Sequence, residues 1–526
     1  MTTNIQNKSE GATSEALPSK PDPLVLIPIS NNTFSNGIWT FEAKKVNGEL
    51  NLKLKALNRE GVLLELKKMG YQKRNDAASG IVFIKANENI LTEVTVTNIK
   101  EAFYKKFIKH AKDMEVELGD RIYTFLKGEI KARYLDQFHL IFNQNFLEHL
   151  ETHTKPILRD TEGEAFFCYQ NGIVKATRQG YSLISYTSLN ETCVWDNHIL
   201  KRDFNKAEKT EGSYFADFLL NVAAKDKARQ LSFISAFGYL LHNYNSPTKS
   251  QAVLLYDAKP APKGKPEGGS GKGLFVQAVK KLRETTKIDG KNLKSDNRFK
   301  FQKVTPQTQV IWLDDVHAKF DFSELHSNIS DGWNIERKYA DEFFIPHNES
   351  PKVVIASNTI LTTEGSTNKR RQYIVEFDDH YQRKIITGTE EPILQEHGCI
   401  FFSEQWTKAD WAQFDTLAME CITDYLKKGL SESKPVNIVL NRLMQRTNED
   451  FTEWVRDIDF TQGAEHNLKE LFESFKQYSG EDTTLKQATF TRWVRFYCEL
   501  SNVKVKRVKK GNNWCILVTN SGIRGD

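Results

Sequence analysis

Between residues 251 and 378 short, wholly apolar runs alternate with longer mixed stretches: AVLLYDA, TQVIWLDDV, KVVIASN and RQYIVEF. Runs without polar alternation suit strands covered on both faces, so they predict a parallel sheet in an α/β domain over 251–390. Elsewhere the period changes. GIWTFEAKKVNGELNLKLKAL alternates apolar and polar positions on either side of Asn47-Gly48, a hairpin signature, while 58–69 and 98–113 carry helical spacing. These segments predict an α+β module over 24–130. A second hairpin is expected in 165–187, turning at Asn171-Gly172, and 213–244 has apolar residues at helical spacing; together they predict a hairpin and helical collar over 131–250. A helical region follows the sheet over 391–460. In the last stretch, NLKELFESFKQY and LKQATFTRWVRFYCEL predict two helices, followed by two strands around Gly511-Asn512-Asn513. That order predicts a winged helix over 461–526.

Composition fits a multidomain protein: 526 residues, 39% of them hydrophobic, make several domains at about 150 residues each. The opening MTTNIQNKSEGATSEALPSKPDP is too polar to form a core, so 1–23 is expected to be a disordered tail. It has no apolar signal segment, and no run of about 18 apolar residues occurs, so no membrane partner is expected and the cytoplasm is the default location. Cys168, Cys193, Cys399, Cys421, Cys498 and Cys515 are scattered, without the close pairs of a zinc or redox site. A net charge of +5 places any nucleic-acid surface in local clusters of Lys and Arg.

The stretch PEGGSGKGLFVQAVKKL (266–282) changes the picture. It follows the apolar run VLLY and places Gly268, Gly269, Ser270, Gly271, Lys272 and Gly273 at the start of a helix with Phe275, Ala278, Val279 and Leu282 on one face. Glycines let successive backbone N–H groups converge on one anion, and the helix dipole reinforces them. The Gly-Lys pair is in register with G-x-x-x-x-G-K-[ST], with Pro266 at the first glycine and Gly273 at the hydroxyl. TQVIWLDDV then ends in paired carboxylates, which suits Asp314 to a metal ion and Asp315 to orienting or deprotonating a water. KVVIASN ends in Asn358, an amide suited to sensing a terminal phosphate. NKRRQYIVEF places Arg370 and Arg371 before a strand, where a guanidinium can reach a neighbouring subunit's phosphate. The four elements together predict ATP and Mg²⁺ as cofactors.

This order resembles the superfamily 3 helicases of the AAA+ class, found in small DNA viruses, phages, plasmids and poxvirus-type primase-helicases. VIWLDDVHAKFDFSELHSNISDGWNIERKY, SPKVVIASN and NKRRQYIVEF are most similar to the primase-helicase proteins of bacterial mobile elements and phages, particularly those of Bacteroidetes. The likeness covers 210–380 well and the C-terminal end loosely. It implies that Lys272 is the phosphate-binding lysine, Asp314 and Asp315 the acidic pair and Asn358 the sensor. Arg371 fits the arginine finger best by its spacing from the end of QYIVEF, with Arg370 the alternative. The resemblance also implies a hairpin that grips single-stranded DNA in a central channel. SDGWNIERKYADEFFIPHNESPK fills its place, with Arg337, Lys338 and Tyr339 at or near the tip. A cation beside an aromatic ring suits a phosphate and a base held without sequence preference. With no hydroxyl at Gly273, the metal is left to Asp314, water and phosphate oxygens.

A second basic cluster, KVKRVKKG, puts Lys504, Lys506, Arg507, Lys509 and Lys510 on the expected wing, and the preceding helix adds Arg492, Trp493 and Arg495. A winged helix sets one helix in the major groove and the wing on adjacent phosphates. The resemblance implies an ATP-dependent DNA helicase in the replication of a phage, plasmid or mobile element in a bacterial host. It implies a ring, expected to be a hexamer, moving 3′ to 5′ on single-stranded and forked DNA with ATP sites between subunits. An ATP-switch protein that marks an origin or loads another helicase is the alternative. The N-terminal third has no paired acids after an apolar run, as an archaeal-eukaryotic primase requires, so a separate primase or polymerase is the expected partner where priming is needed.

Overall fold

The computed structural model describes residues 24–30, 32–76, 80–246, 248–258, 268–293, 297–317, 320–361, 370–387, 391–431, 433, 442–444, 446–480, 485–501, 503–511 and 513–520. The expectations for the tail 1–23, Pro266 and Asn512 fall outside these residues. No helix among the described residues is long and apolar enough to cross a membrane.

The chain forms two compact units, and the first ends at Thr154. In it, strands Trp39–Val46 and Glu49–Leu57 pair antiparallel through Asn47-Gly48, at φ 52° and 85°. Both turn residues are left-handed, as a tight hairpin with right-twisted strands requires. Trp39, Phe41 and Ala43 alternate inward, as do Leu52 and Leu54. The boundary expected at 130 moves, because helix Lys127–Ile141 runs through it and buries Ile130, Tyr134 and Ile141 in the same core. Gln137 on that helix accepts from the Leu57 amide at 3.0 Å, tying it to the hairpin strand.

The second unit begins at Lys155 with strands Glu164–Tyr169, Gly172–Thr177 and Gly180–Ile184. The first turn is Gln170-Asn171, one residue earlier than expected. Gly172 belongs to the strand, where a Cβ would stand 2.7 Å from the Ile184 carbonyl oxygen. Helices α1 (Tyr214–Val222) and α2 (Lys227–Leu241) follow. Next come β1 (Ala252–Asp257), α3 (Lys272–Lys280), β2 (Thr285–Asp289) and β3 (Val310–Asp314). A hairpin of β4 (Gly332–Arg337) and β5 (Ala340–Pro346) precedes β6 (Lys352–Ala356) and β7 (Gln372–Phe377). Helices α4 (Pro392–His397) and α5 (Lys408–Lys428) complete the series.

Five of these strands form a parallel sheet in the order β2-β3-β6-β1-β7. Successive residues serve opposite layers: Val253 and Leu255 join the core under α2, α3 and α5, while Ala252, Leu254 and Tyr256 join the one containing Trp333 and Phe343 of the hairpin. Two-sided burial is why these strands read as unbroken apolar runs. The edge strand β2, TTKID, escaped that pattern because only Thr285 and Ile288 are buried.

Further on, strand Glu465–Asn467, helices Leu468–Ser479 and Gln487–Leu500, and the hairpin Lys504–Lys510/Asn513–Asn520 form a separate small core. Its sheet has three strands, with Asn513–Asn520 in the middle; the short first strand was not expected from the sequence. The boundary expected at 461 also moves. Leu443, Phe451, Trp454 and Phe460 pack into this core, so the region expected as 391–460 is divided between it and the parallel sheet.

Candidate nucleotide site

Sequence places the loop 268–271 between β1 and α3, and the backbone shows why glycine is needed there. Gly269 and Gly271 have φ of +100° and +102°, a region that side chains resist. At Gly271 there is also no room: a Cβ would stand 2.8 Å from Cε2 of Phe218 on α1. Gly271→Ala is therefore expected to abolish nucleotide binding and lower stability by about 1–3 kcal/mol, checked by fluorescent-nucleotide titration and denaturant melts. Parental binding by the variant would show that the loop tolerates the shift. Gly273 stands in open space, so packing does not impose its missing hydroxyl.

Lys272 opens α3 and is 7% exposed. Its Nζ lies 2.5 Å from Oδ1 of Asp257, the last residue of β1, and the buried Ser270 hydroxyl donates to the same oxygen. Burial pushes Lys272 below the usual lysine range, opposed first by Asp257 and more weakly by Asp315 and Asp314. Asp257 was missed in the sequence; its signal is a carboxylate at the end of the strand feeding the loop.

Asp314 ends β3 and pairs with Lys287 Nζ at 2.6 Å; Asp315 pairs with Lys291 Nζ at 2.6 Å. Asp315 has a left-handed backbone, φ +53°, so the chain turns sharply between the two acids. Ser357, after β6, lies 2.7 Å from the Val316 carbonyl oxygen, and Val316 donates to Ala356 O at 3.1 Å. These contacts fasten the acid turn to the strand end that carries Asn358.

A cavity of 500 Å³ opens at the carboxyl ends of the strands, where ligands bind in parallel sheets. The loop Gly269–Gly273, Asp314, Asp315 and Asn358 line it, so most of the expected phosphate and acid groups come together. Gly268 is exposed and is not part of the lining. No group of three or more His, Cys, Asp or Glu able to hold a metal occurs among the described residues. Asp314 nevertheless fits Mg²⁺, which commonly takes one or two carboxylates and completes its shell with phosphate oxygens and water.

Arg370 and Arg371 stand elsewhere. The Arg371 carbonyl accepts from Ala252 at the start of β1, so both arginines lie at the amino end of β7. The sheet separates them from the cavity by about 20 Å, the length of six parallel residues. Arg371 Nε donates to Ser330 Oγ at 2.9 Å, and Arg370 is exposed.

The β4–β5 hairpin turns at Lys338-Tyr339. Tyr339 is fully exposed at φ +60°, a costly backbone for an aromatic residue. Arg337 lies over the Phe343 ring at 4.8 Å and Lys338 is exposed. In the C-terminal core, Phe490, Val494 and Cys498 are buried, leaving Arg492 and Arg495 exposed. Lys504, Lys506, Arg507 and Lys509 are exposed; Arg507 stacks on Trp514 at 3.9 Å, and Lys510 pairs with Glu465 at 2.6 Å.

No family model and no curated protein matches the chain. Among solved structures it is similar to an apo form of the NrS-1 C-terminal region, at 14% identity and TM-score 0.37, over 87% of this chain and 99% of that one. A second structure of that region gives 15% identity and TM-score 0.35, over 88% and 99%. A ligand-bound JCV helicase gives 15% identity and TM-score 0.26, over 44% of this chain and 63% of that one.

Proposed function

We propose that the chain is an ATP-driven DNA helicase of the superfamily 3 type, working as a ring in the replication of a phage, plasmid or mobile element. The observation that carries this reading is a division of groups: Lys272, Asp314, Asp315 and Asn358 share one cavity at the carboxyl ends of the strands, while Arg370 and Arg371 lie at the amino end of β7. A finger so placed serves a neighbour's site, and a head-to-tail contact of that kind closes into a ring, here a hexamer.

Incoming ATP draws the Lys272 ammonium from Asp257 to its outer phosphates, where the loop's N–H groups also point. Mg²⁺, held by Asp314, phosphate oxygens and water, would offset charge on the transferring group. Asp315 orients the attacking water and accepts its proton. Asn358 donates its amide to the terminal phosphate, and Arg371 of the next subunit, with Arg370 beside it, stabilises the charge that develops in the transition state.

Arg337, Lys338 and Tyr339 grip single-stranded DNA in the ring's channel, where the exposed ring stacks on a base and the cations meet phosphates. Movement along that strand is 3′ to 5′. The C-terminal core acts as a winged helix on the duplex ahead, with Arg492 and Arg495 toward the groove and Lys504, Lys506, Arg507 and Lys509 on the backbone. Lys510 contributes less, since Glu465 already neutralises it.

Lys338→Ala tests the translocation step. Strand separation is expected to fall at least ~10-fold with duplex affinity and nucleotide binding unchanged, measured by unwinding and anisotropy assays. Unchanged unwinding would remove the hairpin from the mechanism. Absence of unwinding in the parent, with ATP-dependent duplex binding intact, would favour an origin-marking or helicase-loading switch.

A further inference from the structure

The C-terminal hairpin outruns the sheet that supports it. Strand Glu465–Asn467 pairs with Leu517, Ile516 and Cys515 of the middle strand and stops there, because the Asn467 side chain caps the helix that follows, accepting from the Lys469 amide at 3.0 Å. Asn513 and Trp514, with Lys510 and Lys509 opposite them, therefore form a two-stranded tip. Alternation along the strand puts Trp514 on the same face as Ile516 and Val518. Those two are buried in the small core with Phe490, Val494 and Cys498, whereas Trp514 lies past it and is 43% exposed. It is the one exposed tryptophan of the nine in the chain.

Cations surround this ring. Lys509 stands directly opposite Trp514, and Arg507, diagonal to it on the same face, lays its guanidinium over the indole at 3.9 Å. That contact uses the flat face of the guanidinium and leaves its N–H edge for a phosphate. It also holds the indole in one orientation, which lowers the entropy lost when a second flat group stacks on it. Neither Arg507 nor Lys509 pairs with a carboxylate among the described residues, whereas Lys510, on the other face, pairs with Glu465. A single exposed apolar side chain needs no explanation. An indole preorganised by a guanidinium and flanked by positive charge matches the chemistry that holds a nucleobase and its phosphate.

We infer that the hairpin tip is a stacking site for the terminal base pair of a DNA duplex, with Trp514 laid on the exposed base, Arg507 behind the ring and Lys509 on the flanking phosphate. Inside a continuous duplex both faces of every base pair are covered by its neighbours, so only an end or a fork junction offers a free face. Phosphate contacts, by contrast, form anywhere along a duplex. Trp514 thus gives this domain a preference for junctions that its lysines and arginines do not supply. The inference rests on reading the C-terminal core as a duplex-binding winged helix.

The test uses the full chain with Mg²⁺ and no nucleoside triphosphate. Its probe is a blunt duplex carrying a fluorescent adenine analogue at the terminal or at a central pair, compared with the same duplex closed at both ends by hairpin loops that stack on the terminal pairs. Binding is expected to quench the terminal analogue and not the central one, and the open duplex to be preferred by about five-fold or more. Trp514→Ala is expected to lose both the quench and the preference with affinity for the closed duplex unchanged, and Trp514→Phe, which keeps a ring, to retain part of each. The side chain at 514 is exposed, so both variants keep the fold. No terminal quench in the bound parent, a quench that persists in Trp514→Ala, or equal loss of affinity for open and closed duplexes would overturn the stacking site. Failure of the parent to bind either duplex would instead overturn the winged-helix reading, a different result.

Discussion

Lys272→Ala is expected to abolish ATP hydrolysis, with a loss of at least ~10³-fold, because among the described lining residues of the cavity no other ammonium or guanidinium stands to meet the outer phosphates. A structural effect accompanies it. Asp257 is 10% exposed and loses the Lys272 ammonium while keeping the Ser270 hydroxyl. Breaking a buried ion pair from one side costs about 3 kcal/mol or more, and the remaining hydroxyl places the expected loss near the low end. The double variant Lys272→Ala/Asp257→Asn is expected to recover most of that stability and none of the hydrolysis. Denaturant melts and phosphate-release assays separate the two effects. Hydrolysis persisting in Lys272→Ala would place the phosphates elsewhere.

Arg371→Ala is expected to bind ATP as the parent does and to lose hydrolysis by about 10³–10⁵-fold, the range for a missing finger. Placement supplies the reason, since Arg371 is joined to the start of β1 and Lys272 follows its end. Mixing gives the sharper result. Subunits carrying Lys272→Ala retain a sound finger, and those carrying Arg371→Ala retain a sound cavity. Mixed oligomers should therefore regain a fraction of parental hydrolysis that neither variant shows alone. No recovery in oligomers shown to mix would contradict action between subunits, and Arg370→Ala in the same design decides between the adjacent guanidiniums.

Much of the central domain was legible because two-sided burial leaves an unmistakable trace. Val253, Leu254 and Leu255 in β1 and Val353, Val354 and Ile355 in β6 are apolar regardless of which face they serve. Edge position erased that trace in β2. Domain limits at 130 and 461 failed for a related reason: Ile130 and Phe451 sit in helical stretches whose spacing shows an apolar face without saying which core receives it. Within the cavity, the loop, the acids and Asn358 could be found because each ends a strand or opens a helix. Asp257 lacked a motif, and Ile393 and Phe401 are indistinguishable in sequence from ordinary core residues. Only the fold brings Tyr381 and Phe401 to the same cavity as Lys272.

A side chain at Gly273 would meet open space, so the absent hydroxyl reflects no steric demand; on the proposed reading Asp314 would hold the metal with phosphate oxygens and water. Lys287 pairs with Oδ2 of Asp314, so a metal on this carboxylate would either use Oδ1 or displace the ammonium.

The most direct measurement is strand separation of forked DNA with ATP and Mg²⁺, using substrates of either tail polarity and the assembled parental protein. ATP-dependent unwinding on the 3′-tailed fork, absent with Lys272→Ala, is the predicted result. Well-folded rings that bind ATP and DNA yet separate neither fork would contradict a helicase.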